Sequence, residues 1–118
     1  MNDDNIAIEK SYEFAIKIVN LSKLLDEKHA YALSNQVIKS GTSIGANIAE
    51  AQQAQSKKDF ISKLSIALKE ASETVFWLNL LKDTGYLTEE YFTNLNKDCN
   101  ELIRLLTAII KTSKQNNN

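Results

Sequence analysis

Apolar residues recur every three or four positions along most of this chain, which is the spacing of amphipathic helices. Four such stretches, at about residues 6–27, 30–54, 57–84 and 89–114, are separated by short polar interruptions. No proline breaks them, and proline is the residue least compatible with a helix interior. The pattern predicts an all-α protein with one domain over residues 1–118, folded as an antiparallel up-down-up-down four-helix bundle.

Each predicted helix has one apolar stripe, and the third repeats it with heptad spacing. The positions expected to face the interior in the first helix are Ile8, Tyr12, Ala15, Val19, Ser22 and Leu25, with Phe14, Ile18 and Leu21 widening the apolar side. In the second helix they are Leu33, Val37, Gly41, Ile44, Ile48 and Ala51, and in the third they are Phe60, Leu64, Ala67, Ala71, Thr74, Leu78 and Leu81. In the fourth helix they are Phe92, Leu95, Cys99, Leu102, Leu106 and Ile109.

The helix ends carry their own signals. Ser56 and Thr88 precede the third and fourth helices as N-caps, and acidic residues follow each of them. Gly85 is placed to end the third helix in a left-handed conformation. A short turn is expected near Lys28 and His29, where the segment "DEKHAY" interrupts the pattern.

The segment "SGTSIGANIAEAQQAQ" (residues 40–55) places Gly41 and Gly45, two of the three glycines in the chain, inside the second helix. The apolar spacing continues through both, which favours an unbroken helix over a break at "SGTSIG". Two interior glycines cost a helix about 2 kcal/mol relative to alanine. With Ala49 they form a shallow groove that lets another backbone approach closely. We interpret it as a tight contact within the bundle; the alternative is a seam between subunits or a ligand groove.

Beside the glycines lies a strip of polar residues, made up of Ser43, Asn47 and Glu50 with Ser40 nearby. On a solvated surface these residues need no special role. Against a partner, the amide and the carboxylate would make specific polar contacts.

Four apolar residues of the third helix remain outside its predicted stripe: Ile66, Phe76, Trp77 and Leu80. Contiguous exposed apolar surface commonly marks a protein contact, and aromatic residues are enriched in such contacts. We expect a homo-oligomer interface here, although a wide bundle interior would also absorb these side chains.

Composition argues against catalysis. The chain has a single histidine, His29, and a single cysteine, Cys99, whose position in an apolar stripe predicts a buried free thiol rather than a nucleophile. It contains no zinc cluster, phosphate loop, dinucleotide fingerprint or hydrolase elbow. We therefore expect neither an enzyme nor a bound metal, cofactor or small-molecule substrate. The sequence also contains no signal peptide or membrane-spanning run, which predicts a cytoplasmic protein.

Nucleic-acid binding has limited support in the sequence. The formal net charge of −1 provides no bulk attraction to nucleic acid. Two lysine clusters, Lys57, Lys58 and Lys63 in the third helix and Lys111 and Lys114 in the fourth, could contact phosphates or could simply be solvated. Arg104 is the only arginine, so guanine edges would not be read by a set of arginines.

The segment "SGTSIGANIAEAQQAQSKKDFISKLSIALKEASETVFWLNLL" (residues 40–81) resembles the family of 23S rRNA intervening-sequence proteins. The similarity lies in "ANIAE" followed by Gly or Ala, in a Lys-Asp/Glu-Phe start to the third helix, and in "ALKEASET". Ser40, Asn47, Glu50 and Phe60 match characteristic positions of the family, whereas Ala51 stands where its members often have glycine.

The resemblance implies an antiparallel four-helix bundle that assembles as a ring-like homopentamer. It also implies kinship with the accessory protein of diversity-generating retroelements, a far more basic pentamer that binds nucleic acid. Two hypotheses follow. The chain is either an RNA-associated homo-oligomer or a protein-interaction scaffold that does not bind nucleic acid.

Overall fold

The structure, a computed structural model, describes residues 2–116, with side chains from residue 3 onward. It contains four helices, α1 (Asn2–Glu27), α2 (Tyr31–Ala51), α3 (Lys57–Asp83) and α4 (Glu89–Gln115), and no strand among the described residues. Each helix packs against its two neighbours, since α1 contacts α2 and α4 while α3 contacts α2 and α4. The predicted fold, an all-α antiparallel four-helix bundle, is confirmed. The bundle is 50 Å long and 22 by 19 Å across.

Two helix boundaries differ from those expected. α1 begins at Asn2 rather than near residue 6, and Asp3 and Asp4 lie in its first turn, where the helix dipole favours acidic side chains. α2 ends at Ala51 rather than near residue 54. After it the backbone tightens into hydrogen bonds spanning three residues, which end the helix before Ser56. Residues 1, 117 and 118 of the predicted domain lie outside the described part of the chain.

The two predicted N-caps are present. The Ser56 hydroxyl accepts a hydrogen bond from the Asp59 backbone N–H at 3.0 Å, and the Thr88 hydroxyl accepts one from the Tyr91 backbone N–H at 3.1 Å. Each satisfies a backbone donor that has no partner within its own helix.

Two left-handed residues end α1 and α3. Gly85, with φ of 85°, follows α3 as expected. His29, with φ of 61°, takes the same role after α1. In both places the next residue donates its backbone N–H to a carbonyl five residues earlier, Tyr86 to Leu81 and Ala30 to Leu25, each at 2.9 Å.

α2 runs without a break through Gly41 and Gly45. A Cβ atom added to Gly41 would lie 2.8 Å from Cγ1 and from Cγ2 of Ile18, and one on Gly45 would lie 3.3 Å from the Ser11 hydroxyl oxygen. Both glycines therefore face α1 of the same chain, and the close approach that they allow lies within the bundle.

That close approach corrects the face expected for α1. Tyr12, predicted to be buried, is 69% exposed, whereas Ser11 is buried beside it. Ile8, Ala15 and Val19 are only half-buried. The side chains of α1 that are fully buried belong to Ala7, Ser11, Phe14, Ile18, Leu21 and Leu25. The stripe of α1 is rotated relative to the prediction because Ile18 and Ser11 must meet the glycines of α2.

Candidate interaction surfaces

Two ion pairs join α1 to α4. Lys17 Nζ lies 2.6 Å from Asp98 Oδ2, and Lys10 Nζ lies 3.3 Å from Glu101 Oε2. All four side chains are partly exposed, so each pair contributes at most about 1 kcal/mol. They lie on the flank of α1 that faces α4, whereas Ser11 and Ile18 lie on the flank that faces α2.

The glycine groove lies between α1 and α2. It has a volume of about 270 Å³ and is lined by Ile8, Ser11, Tyr12, Ala15, Thr42, Gly45, Ala46 and Ala49. Of the three predicted groove residues, Gly41 is buried beneath Ile18, Gly45 forms part of the lining, and Ala49 is exposed at its edge. No charged side chain lines it.

An apolar face that the sequence analysis missed lies on the outer side of α1. Ile6, Tyr12 and Ile16 are 40%, 69% and 49% exposed. We call these three residues the α1 apolar face. The signal was present in the sequence, because Ile6 and Ile16 fall outside the expected stripe; it was missed because Tyr12 was assigned to the interior.

A second apolar face lies on α3. Ile66 and Phe76 are 39% and 58% exposed, while Trp77 and Leu80 are half-buried. The Phe76 and Trp77 rings meet edge to face with centroids 5.0 Å apart, and the Trp77 indole N–H donates to Glu73 Oε2 at 3.2 Å. We call Ile66, Phe76, Trp77 and Leu80 the α3 apolar face. Phe76, Trp77 and Leu80 lie together on this helix, whereas Ile66 lies ten residues earlier, about 15 Å along the axis.

The polar strip of α2 divides in two. Ser40 is fully buried, accepts a hydrogen bond from the Thr74 hydroxyl at 3.0 Å and so joins α2 to α3 inside the core. Ser40 therefore lies apart from the other three residues of the strip. Ser43, Asn47 and Glu50 lie at the surface, with the Asn47 amide donating to the Ser43 carbonyl at 2.8 Å. Since both of these residues belong to α2, this bond is local.

Four lysines of the two predicted clusters lie toward the same end of the bundle. Lys57 and Lys58 open α3, and Lys111 and Lys114 lie near the end of its antiparallel neighbour α4. All four are exposed. Lys63 differs, because its Nζ lies 3.0 Å from Glu50 Oε1. This hydrogen bond raises the pKa of Lys63 and provides a negative partner for its charge.

The remaining polar chemistry is sparse. Burial raises the pKa of Cys99 to about 12, and its thiol donates to the Ala71 carbonyl at 3.3 Å. Such a thiol is neutral at physiological pH and is not a nucleophile. Over residues 2–116 no group of three or more His, Cys, Asp and Glu side chains is placed to hold a metal ion. None of the helices over the same range is long and apolar enough to span a membrane.

Comparisons with known proteins agree with the fold. The family model described as 23S rRNA-intervening sequence protein matches residues 3–108. A crystal structure of a protein with unknown function, from the S23 ribosomal protein family of Bacteroides thetaiotaomicron, shares 55% sequence identity. The match covers 92% of this chain and 98% of that one, with a TM-score of 0.90. No curated protein matches the chain.

Proposed function

Because the chain belongs to the 23S rRNA-intervening sequence protein family, we propose that it is a non-enzymatic, cytoplasmic bundle that acts by assembling with copies of itself. The assembly presents a repeated surface to a partner rather than a reaction centre. The family resemblance suggests a ring of five chains.

The observation that carries the proposal is the position of the two apolar faces. The α1 apolar face and the α3 apolar face lie on diagonal helices, which do not pack against each other. A contact between two different surfaces is heterologous, and a repeated heterologous contact closes into a ring when its rotation permits. A chain with apolar surface on two flanks can contact a further copy on each side, and the family resemblance supplies the expectation that this assembly closes as a ring.

Light scattering on the size-separated protein tests the proposal. We expect a mass of several chains, with five as the number that the resemblance suggests. Phe76→Lys should shift the mass toward a single chain, since it places a charge in the α3 apolar face. The matched control is Ala108→Lys, which adds the same charge to an exposed position of α4. A single-chain mass for the unaltered protein at high concentration would refute the proposal.

The absence of catalysis is supported by the chemistry of the described residues. The one thiol is buried and held neutral, and His29 lies in a turn beside the Tyr31 ring, 5.8 Å away between centroids. The glycine groove has no charged group to act as acid or base. A binding role needs none of these groups.

RNA association is a second candidate, and the position of the lysines toward one end of the bundle supports it. Four exposed lysines from α3 and α4 share one end of the bundle, and a ring would repeat them around one rim. Lysines recognise phosphate as point charges, so such a rim would bind RNA without reading its sequence.

Fluorescence anisotropy with a labelled structured RNA tests this candidate. We expect binding that weakens by an order of magnitude or more between about 50 and about 200 mM salt, because phosphate contacts release counterions. Lys57→Glu with Lys111→Glu should abolish binding, whereas Lys97→Glu, at an exposed position about 20 Å from Lys111 along α4, should change it little. No binding at the lower salt concentration would leave a protein-interaction scaffold as the function.

A further inference from the structure

We infer that the outer groove between α3 and α4 is a docking site for an acidic amphipathic helix of another protein. The helix inserts an apolar side chain between α3 and α4 and places its carboxylates against the lysines around the groove. The site lies within one chain, so the inference goes beyond the proposed assembly and does not depend on it.

A cavity of about 350 Å³ opens between α3 and α4, alongside the last turns of α4. It is lined by Leu68, Thr107, Ile110, Lys111, Lys114 and Gln115, and we call these residues the α3–α4 groove. Its floor is apolar, because Ile110 is 8% exposed and Leu68 is half-buried. The Thr107 hydroxyl donates to the Ile103 carbonyl at 2.7 Å and is therefore occupied within α4. Such a floor favours an apolar group over a polar one.

The charged residues that line the groove are both cations. Lys111 and Lys114 are exposed at its rim. Over residues 103–115, α4 contains these two lysines and Arg104 but no acidic residue. None of the three cations makes an ion pair with another described residue. Their charge is therefore available to an anionic partner.

The nearest acidic residues lie on other flanks of the two helices. On α4, Asp98 and Glu101 face α1, because both form ion pairs with its lysines. On α3, Lys63 forms its ion pair with α2, and Asp59 and Glu70 lie one turn before it and two turns after it on the same flank. The acids in the first turn of α1 are separated from the groove by α4, since α1 does not contact α3. A chain with a formal net charge of −1 thus has a locally cationic groove.

α3 extends the groove toward its own start. Lys58, Ile61, Ser65 and Leu68 follow one another at steps of three, four and three, which places them on one stripe of the helix. Lys58 is exposed, and Ile61 is half-buried like Leu68. The stripe is about 15 Å long, which matches nearly three turns of a docked helix.

An acidic amphipathic helix matches both the floor and the rim. Its apolar face supplies an anchor for the groove, as in other helix-in-groove contacts, and its carboxylates complement the lysines. RNA matches the rim alone, because unpaired bases stack on aromatic rings or on guanidinium groups, and the lining contains neither. A membrane surface matches the floor poorly, because apolar residues that enter a bilayer protrude, whereas Leu68 and Ile110 are recessed between the helices.

Fluorescence anisotropy with a labelled synthetic peptide tests the inference. The peptide has about 14 residues, or about 21 Å of helix, with leucine at helical spacing on one face and glutamate elsewhere. We expect one peptide to bind per chain. A peptide of the same composition in scrambled order lacks the apolar face and should bind at least about tenfold more weakly.

Charge reversal tests the rim. Lys111→Glu with Lys114→Glu should weaken binding of the peptide about tenfold or more at low salt, because carboxylates would then face carboxylates. The matched control, Lys23→Glu with Lys39→Glu, makes the same change in charge at exposed positions of α1 and α2 and should alter binding little. Equal losses in the two variants would show that net charge alone attracts the peptide, and would overturn the inference.

Filling the groove tests the floor while every lysine stays in place. Thr107→Trp puts a large ring into the cavity and should weaken peptide binding about tenfold or more, whereas Ala108→Trp, at the adjacent exposed position outside the lining, should leave it unchanged. Circular dichroism verifies that each variant is folded. Light scattering should give the same mass for Thr107→Trp as for the unaltered protein, which separates loss of docking from loss of assembly.

Three results would overturn the inference. One is equal affinity for the ordered and scrambled peptides, and another is peptide binding that Thr107→Trp leaves unchanged. The third is displacement of the peptide from the unaltered protein by a structured RNA, or by vesicles of anionic phospholipid, at a lower concentration than unlabelled peptide requires.

Discussion

Ile18 lies directly over Gly41, and the space between them has no room for a methyl group. Both residues are fully enclosed, with Ile18 showing no exposed surface. At Gly45 the nearest neighbour is instead a hydroxyl group, 3.3 Å from where a Cβ would sit. A larger residue is therefore excluded more strictly at Gly41 than at Gly45, although the two glycines look equivalent in the sequence.

We expect Gly41→Ala to lower the free energy of unfolding by about 1–2 kcal/mol. Overpacking by the added methyl group costs about 1–3 kcal/mol, and the higher helix propensity of alanine offsets up to about 1 kcal/mol of that cost. Gly45→Ala is the matched control and should be close to neutral, whereas Gly45→Leu should lower the melting temperature or change the mass of the assembly. Urea unfolding measures the stabilities. A Gly41→Ala variant as stable as the unaltered protein would show that α1 can move away from α2.

Cys99 gives the protein a pH dependence at the alkaline end. Burial raises its pKa to about 12, so the folded state keeps the proton that an unfolded thiol loses near pH 8.5. The stabilisation from this group is complete below pH 8.5 and is lost as the pH rises toward 12.

A comparison with Cys99→Ala isolates this effect from other titrating groups. Between pH 8 and pH 10.5 the unaltered protein should lose about 2 kcal/mol more stability than the variant does. The reason is that only the unaltered protein has a thiol that releases its proton in the unfolded state and keeps it in the folded state. Equal losses in the two proteins would mean that the thiol reaches solvent in the folded state. A thiol reagent at pH 8 should then label Cys99 quickly without denaturant, whereas we expect labelling only after unfolding.

At the scale of the helices, local signals predicted most of the ends and the buried faces of three helices. Both N-caps and the left-handed Gly85 follow from residue types whose backbone preferences act over a few positions. The buried face of α1 was predicted less well, because Tyr12 and Ser11 are adjacent and helical spacing alone accommodates either. Contact with the glycines of α2 decided between them.

The cap of α3 can be tested on its own. Ser56→Ala should lower the free energy of unfolding by about 1 kcal/mol, because the Asp59 backbone N–H loses its acceptor. Ser56→Asp keeps an acceptor at that position and should retain most of the stability. Thermal unfolding of the two variants provides the comparison. Equal losses for both would show that the cap bond does not contribute.

At the scale of the molecule, the order of the helices around the bundle brings distant residues together. Lys17 and Asp98, 81 residues apart, form one of the ion pairs that join α1 to α4. The same arrangement places Lys57 and Lys58 toward the same end of the bundle as Lys111 and Lys114, and sets the two apolar faces on diagonal helices. The lysines and the two apolar faces bear on the proposed function, and neither grouping is local in the chain.

The sequence by itself determined four helices, most of their ends, the interiors of α2, α3 and α4, and the family, because helical spacing and capping act between residues a few positions apart. Only the tertiary structure decided which flank of α1 is exposed, that Ser40 is buried against Thr74, and that Lys63 is paired with Glu50. Those outcomes depend on where two helices touch, and the close approach at Gly41 and Gly45 sets that distance for α1 and α2.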